Sequence, residues 1–337
     1  MANKKIRSKG STDIFIVLLR VLVILLIVFC VFAQNNLVVT RNFIYSDIDL
    51  PKSLVGYKIL HISDICNTTN TSSRVLSSAV KSKPDIIVLS GGYQDINGEY
   101  SNTVELVKDL CEIAPVYYIY NTNDTEDVLS NTNAINITDM AIELEVDIKD
   151  AETFIEKVYG KGIVNKASKG DEKAVQYVQY ITDELNNQQH SVIKLCGISN
   201  MVGDYSNKIQ EHSYNITGSI EDELTIMING NLNNIQSLCS TNLDIMFVGG
   251  TFGKKSGDMQ YSKGDYGCLG TKVFVSGGCG NYKGSRILNL PEVQLITLSD
   301  GTIKEESPLE KFIDLFIDDI GTKYDNDGGF SEYKYEY

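Results

Sequence analysis

Short apolar β runs, each ending in a polar or glycine-rich turn and separated by helical stretches, constrain this chain more than any other feature of its sequence. Residues 58–63 (KILHIS) form such a run and stop at Asp64, with a helical stretch over Ser73–Ser82 behind them. Residues 85–90 (DIIVLS) are rich in branched side chains and read as a strand buried on both faces, as in the interior of a parallel sheet. A helix over Asn102–Ile113 carries Val104, Val107, Leu110 and Cys111 along one side, and Val116–Tyr120 is a third strand. This alternation predicts a parallel sheet covered by helices. Farther on, residues 191–197, 224–228, 243–248, 272–276 and 293–298 read as strands, with a helix over Asn233–Ser240. Asp300-Gly301 predicts a hairpin turn into Thr302-Ile303.

Between the two halves, residues 139–187 differ in pattern. Ala151–Tyr159 reads as a helix stopped by Gly160, and Asp171–Leu185 as another, with Ala174, Val178, Ile181 and Leu185 on one face. The segment is expected to be a helical insertion, either a plain surface excursion or a lid or docking arm. Near the end, Ser307, Pro308 and Glu310 supply three helix-start features. An amphipathic helix is expected over 307–321, followed by an acidic, Tyr-rich tail over 322–337 that is expected to be disordered.

The first fifty residues depart from the rest. Lys4, Lys5, Arg7 and Lys9 make residues 1–13 basic, and residues 14–33 are apolar apart from Arg20. A run of that length at helical rise spans a bilayer, and the basic flank places the N-terminus on the cytoplasmic side. The expectation is a single-pass signal anchor in the cell membrane with the remaining chain extracytoplasmic. A cleaved signal peptide ending at the weak Val31-Phe32-Ala33 site is the competing reading, and it also exports the domain. A net charge of -14 argues against nucleic acid as a partner. The seven cysteines show no CxxC pair, so disulfides are allowed by export but not assigned by spacing.

In α/β folds, functional side chains gather at the C-terminal ends of the strands. Those ends are Ser63-Asp64-Ile65-Cys66, Ser90-Gly91-Gly92, Asn121-Thr122-Asn123-Asp124, Asn229-Gly230-Asn231 and Gly249-Gly250-Thr251-Phe252-Gly253. With the blocks HISDIC, KPDIIVLSGG, PVYYIYNTND, LTIMINGN, LDIMFVGGTFG, VFVSGG and RILNLPEVQLITL in order, the chain resembles the calcineurin-like metallophosphoesterases, in particular their membrane-anchored bacterial branch. The resemblance covers about residues 42–300. It implies a four-layer α/β sandwich, here over residues 42–303, and a hydrolase ancestry with two divalent metals (Mn, Fe or Zn).

Carried over residue by residue, the resemblance places the first ligand Asp on Asp64, and the ligand His two positions on at Cys66, which could act as a soft ligand. The metal-bridging Asp falls on Gly92 and the ligand Asn on Thr122. The general-acid His falls on Asn123, the lone His on Gly230, and the last two His on Gly250 and Phe252. Only Asp64 is retained in kind. Paired dications need a bridging anion and several nitrogen ligands, and these residues supply neither. No bound cofactor is therefore expected. The chain reads as a pseudoenzyme that binds or scaffolds an unknown protein or envelope component. The alternative is an active metal-dependent phosphoester hydrolase with an atypical site, for instance a single-metal site of Asp64, Cys66, Asp95 and Asp124. A redox or metal-sensing role for Cys66 is a third reading. His61 is expected in the core, and His190 and His212 at the surface.

Overall fold

The computed structural model describes residues 9–120, 127–146, 151–187, 191–199, 224–241, 243–251, 261–280 and 289–303, together with Asp124, Ser213, residues 215–217 and Arg286. Twelve strands form: β1 (Val39–Ser46), β2 (Lys58–Ile62), β3 (Ile86–Leu89), β4 (Val116–Tyr118), β5 (Ile135–Asn136), β6 (Met140–Val146), β7 (Ser191–Ile198), β8 (Leu224–Asn229), β9 (Ile245–Val248), β10 (Gly264–Cys268), β11 (Thr271–Val275) and β12 (Glu292–Ser299). Among the described residues the helices include α1 (Lys9–Asn36), α2 (Ser72–Ser82), α3 (Ser101–Cys111), α4 (Ala151–Tyr159), α5 (Lys161–Ser168), α6 (Glu172–Asn187) and the single turn α7 (Ile235–Leu238).

The strands make two six-stranded sheets, β1-β12-β2-β3-β4-β5 and β10-β11-β9-β8-β7-β6. Period-2 alternation sends each strand's side chains to two different cores. In β2, Ile59 joins a core between the sheets, whereas Leu60 and Ile62 join a second core under α2 and α3. In β8, Ile226 and Ile228 face the first core while Met227 faces a third, under α7. The chain is thus an α/β sandwich with two sheets face to face and helices outside them. Phe247 and Phe274 stack at 5.8 Å in the shared core. Burial of side chains of this size stabilises the fold by roughly 2–3 kcal/mol each.

Several expectations change. The sheets are mixed rather than parallel: β12 runs antiparallel to β2, and the edge strands β6 and β10 run antiparallel to their neighbours. The supposed insertion does not begin at 139. Met140–Val146 alternates Ile142 and Leu144 with Glu143 and Glu145 and pairs along β7, leaving 151–187 as the helical excursion. That excursion holds a helix the periodicity did not resolve, α5, and its own small core of Ile155, Ile181 and Leu185. No strand follows Asp300 among the described residues. Residues 301–303 bend instead, with Ser299 Oγ accepting from Gly301 N at 3.0 Å and Ile303 N at 3.2 Å. The first strand begins at Val39. In α3, Leu106 is buried with Val107 and Leu110, and Cys111 is only half-buried.

Helix α1 runs straight into the domain through two residues, Leu37 and Val38. Its described side chains, Ile14 to Phe29, are exposed on every face. Among the described residues no helix is long and apolar enough to cross a membrane. The expected helix over 307–321 and the tail over 322–337 lie outside the described residues, as do His190 and His212.

Cys239, just past α7, is bonded to Cys268 at the end of β10. By the loop-entropy account, a bridge across such a separation stabilises by about 3–4 kcal/mol. Cys239→Ser should lower the urea-unfolding free energy by about that amount. Non-reducing peptide mapping of the wild type should show the Cys239–Cys268 cross-link, and a map with both thiols free would refute the pairing.

Candidate functional site

The C-terminal ends of β2, β3, β8, β9 and β11 meet at one end of the sandwich, and Asp64 is at the centre of that meeting. The chain leaves β2 in the left-handed region at Asp64 (φ 48°), Cys66 (φ 52°) and Asn67 (φ 52°). This turn zips onto the loop after β3: Asp64 N, Cys66 N and Asn67 N donate to the carbonyls of Gly91, Gly92 and Tyr93 at 2.9, 2.8 and 3.0 Å. From the loop after β11, Gly280 N donates to Asp64 O at 2.7 Å. The Asp64 carboxylate is fully buried. It accepts from Gly250 N, on the other sheet, at 3.1 Å, and from Thr251 Oγ1 at 3.5 Å.

A second charge is buried beside it. Arg286 is 2% exposed. Its Nε and Nη2 donate to Gly280 O at 3.0 and 2.6 Å, and Nη1 donates to Gly277 O at 2.9 Å. Burial lowers its pKa from the usual arginine value, and the neighbouring groups, Asp64 and Glu292 among them, push it back up. The space beside Gly278 borders both charges, and each is felt by the other. An atom placed there as a β-carbon would sit 2.9 Å from Asp64 Oδ2 and 3.2 Å from Arg286 Nη2.

Behind this pair lies a polar seam. Glu292 is buried, takes Gly277 N at 2.9 Å, and pairs with Arg41 Nε at 2.7 Å and Lys263 Nζ at 3.4 Å. Gln294 donates from Nε2 to Val275 O at 2.9 Å and receives His61 Nδ1 on Oε1 at 3.0 Å. With Nδ1 donating, His61 Nε2 accepts from Ser90 Oγ at 2.8 Å. Burial pushes the His61 pKa down to about 4, against the Gln294 hydrogen bond. His61 is therefore a neutral core residue, as its place inside β2 suggests.

The site does not fit a metal cluster. Gly92 (φ 78°) turns its missing side chain onto Asp64, and a β-carbon there would lie 2.7 Å from Asp64 Oδ1. Gly250 (φ 85°) faces Gly230 O, which a β-carbon would approach to 2.6 Å. Neither position admits the carboxylate or imidazole that metal binding requires. Among the described residues no group of three His, Cys, Asp or Glu side chains could hold an ion.

The other candidates scatter into structural roles. Asp124 is buried and takes Tyr93 N at 2.8 Å and Gly92 N at 3.2 Å, so it holds the loop after β3. Asp95 closes its own turn, accepting from Asn97 N at 2.8 Å and Glu99 N at 3.0 Å. The single-metal cluster of Asp64, Cys66, Asp95 and Asp124 therefore does not assemble. Cys66 is buried, and burial raises its thiol pKa, which leaves little thiolate for redox or metal chemistry. Gly230 is buried at the end of β8. Thr122, Asn123 and Phe252 lie outside the described residues. The residue that sequence reasoning missed is Arg286, within a block counted only as framework. Its signal was a lone arginine between Gly284 and the apolar stretch Ile287 to Leu290.

No protein-family model matches the chain, and no curated protein matches it in sequence. Among solved structures, the crystal structure of TT1561 of Thermus thermophilus is similar, with 11% identity over 66% of this chain and 89% of that one, at a TM-score of 0.39. Another crystal structure shares 9% identity over 67% of this chain and 91% of its own, at 0.40. Neither likeness bears on function.

The geometry makes two outcomes measurable. The His61 pKa is depressed in the folded state, so its contribution is present above the unfolded value near 6.5 and lost as pH falls toward 4. Over that window the loss should approach ~3 kcal/mol. Urea denaturation at pH 7 and pH 4.5 should show a steeper loss for the wild type than for His61→Gln, and equal slopes would refute the assignment. Placing a carboxylate beside Asp64 as Gly92→Asp should destabilise the fold by at least ~2 kcal/mol through the left-handed backbone and the Asp64 contact. It should also add no bound metal by elemental analysis, whereas a stable variant that gains metal would show the site open.

Proposed function

We propose that this chain is a membrane-anchored protein of metallophosphoesterase-like fold that has no phosphoesterase activity and acts by binding at the cell envelope. The observation that carries the reading is the Asp64 carboxylate, enclosed by Gly92, Gly250, Gly278 and the guanidinium of Arg286. A two-metal hydrolase needs an open cluster there that generates a hydroxide nucleophile. Here the corresponding space is filled by backbone and by a permanent cation. The blocks that resemble the family lie on the strands that build this end of the sandwich, which supports descent from such a hydrolase.

Anchoring is supported by the apolar run 14–33 and by the exposure of the described α1 side chains on all sides, which suits lipid rather than water. The Cys239–Cys268 bond suits an oxidising, extracytoplasmic compartment. The binding surface is best sought on the helical excursion. Val175, Tyr177 and Tyr180 of α6 are exposed there. A cavity of about 500 Å³ between α5 and the start of α6 is lined by Gly162, Ile163, Lys166, Asp171, Lys173 and Ala174. Exposed apolar and aromatic surface of this kind suits a protein or envelope component.

Full-length protein purified in detergent should hold far less than one equivalent of Mn, Fe and Zn combined and should not turn over an aryl phosphodiester with any of them added. Two tightly held ions with turnover lost in Asp64→Ala would establish the hydrolase instead.

A further inference from the structure

A carboxylate without solvent exposure is costly unless an opposite charge and hydrogen-bond donors replace water. Asp64 accepts from Gly250 N and Thr251 Oγ1, both of them neutral donors. Cys66 and Cys279, buried nearby, are thiols raised out of the thiolate range by burial. Lys263 and Arg41 are committed to Glu292. The guanidinium that adjoins the same point in space as Asp64 Oδ2 is Arg286.

We infer that Arg286 is the built-in counter-ion of this site: its guanidinium supplies from within the chain the positive charge that Asp64 requires, so the two sheets close over the carboxylate with no bound cation. The inference deepens the reading of a site without metals and rests on it. Guanidinium chemistry suits the task. The group stays protonated under burial that would neutralise a lysine, and it is planar, so one face or edge can meet a carboxylate while its other donors hold Gly277 O and Gly280 O. The glycines then have a shared reason. They let backbone approach a compact organic ion pair in a space where ligand side chains would otherwise stand.

The competing account is that Arg286 only clamps the loop after β11 through its three hydrogen bonds to carbonyls. Coupling to Asp64 separates the two. In urea unfolding of the full-length protein in detergent, Arg286→Met leaves a buried carboxylate uncompensated and should raise the unfolding constant at least about 100-fold. The charge-neutral pair Arg286→Met with Asp64→Asn should recover at least about 10-fold of that loss. Arg286→Gly should gain thermal stability from millimolar methylguanidinium or Mn2+, a response absent from the wild type and lost again in the Asp64→Asn background.

Single substitutions that add in the double, or a wild type stabilised by Mn2+, would overturn the inference. If Arg286→Met does not fold, the double decides: a protease-resistant double supports the counter-ion, and an unfolded one assigns Arg286 to loop clamping alone. Turnover and bound metal judge the binding-protein reading. Coupling between Arg286 and Asp64 judges this one, so each can fail without the other.

Discussion

The contact between Asp64 and the amide of Gly250 joins the two sheets at the end of the sandwich where five strands finish. Asp64 comes from the sheet containing β2, Gly250 from the sheet containing β9, and Gly280 closes on the Asp64 carbonyl from the loop after β11. Apolar packing between Ile59, Val88, Ile228, Phe247 and Phe274 holds the sheets together over their length. Apolar contact alone cannot finish the job at the strand ends, where backbone amides and carbonyls lose their ladder partners. A buried carboxylate with acceptor capacity on both oxygens supplies that need. It also brings an electrostatic demand that only a cation can meet, and this makes Arg286 part of the fold rather than an ornament on it.

The glycines and the charge pair depend on each other. Gly92 and Gly250 adopt left-handed conformations and leave no room for a β-carbon, so the carboxylate is touched by main chain where a side chain would otherwise stand. Close main-chain approach excludes water, which strengthens the attraction between Asp64 and Arg286 and raises the cost of removing either. A carboxylate or imidazole placed at Gly92 or Gly250 would meet this packed state as a clash, before any ion could contribute binding energy. The glycine positions and the internal cation are therefore two parts of one packing arrangement.

Much of the sheet scaffold was legible because burial imposes periodicity. Residues 86–89 are apolar on both faces, which fits a strand flanked by parallel neighbours, and Val75 and Ala79 repeat at helical spacing under the second core. The strand-end rule located Asp64, Gly92, Gly230 and Gly250 at one end of the fold. It failed for β6, whose Glu143 and Glu145 face outward on an edge strand and mimic a polar surface segment. It failed for the mixed sheet as well, since strand direction leaves no mark on composition. Arg286 was illegible for a different reason. It lies in a connection with no period, and its significance comes from a carboxylate more than two hundred positions earlier, a pairing that local pattern does not encode. The Cys239–Cys268 bond has the same character at shorter range.

The polar seam adds a second tie between the sheets at this end of the molecule. Ser90 donates to His61, His61 to Gln294, and Gln294 to the carbonyl of Val275, so the middle strands of the two sheets are joined by side chains with one arrangement that satisfies every donor. Such a chain polarises along its length and resists partial opening. Its dependence on a neutral imidazole makes it sensitive to acid, in contrast to the Asp64–Arg286 pair, whose cation does not titrate in the same range. The two devices therefore fail under different conditions. Tied in this way at the strand ends, the two sheets carry the helical excursion beyond Gly56, at the opposite end from Asp64.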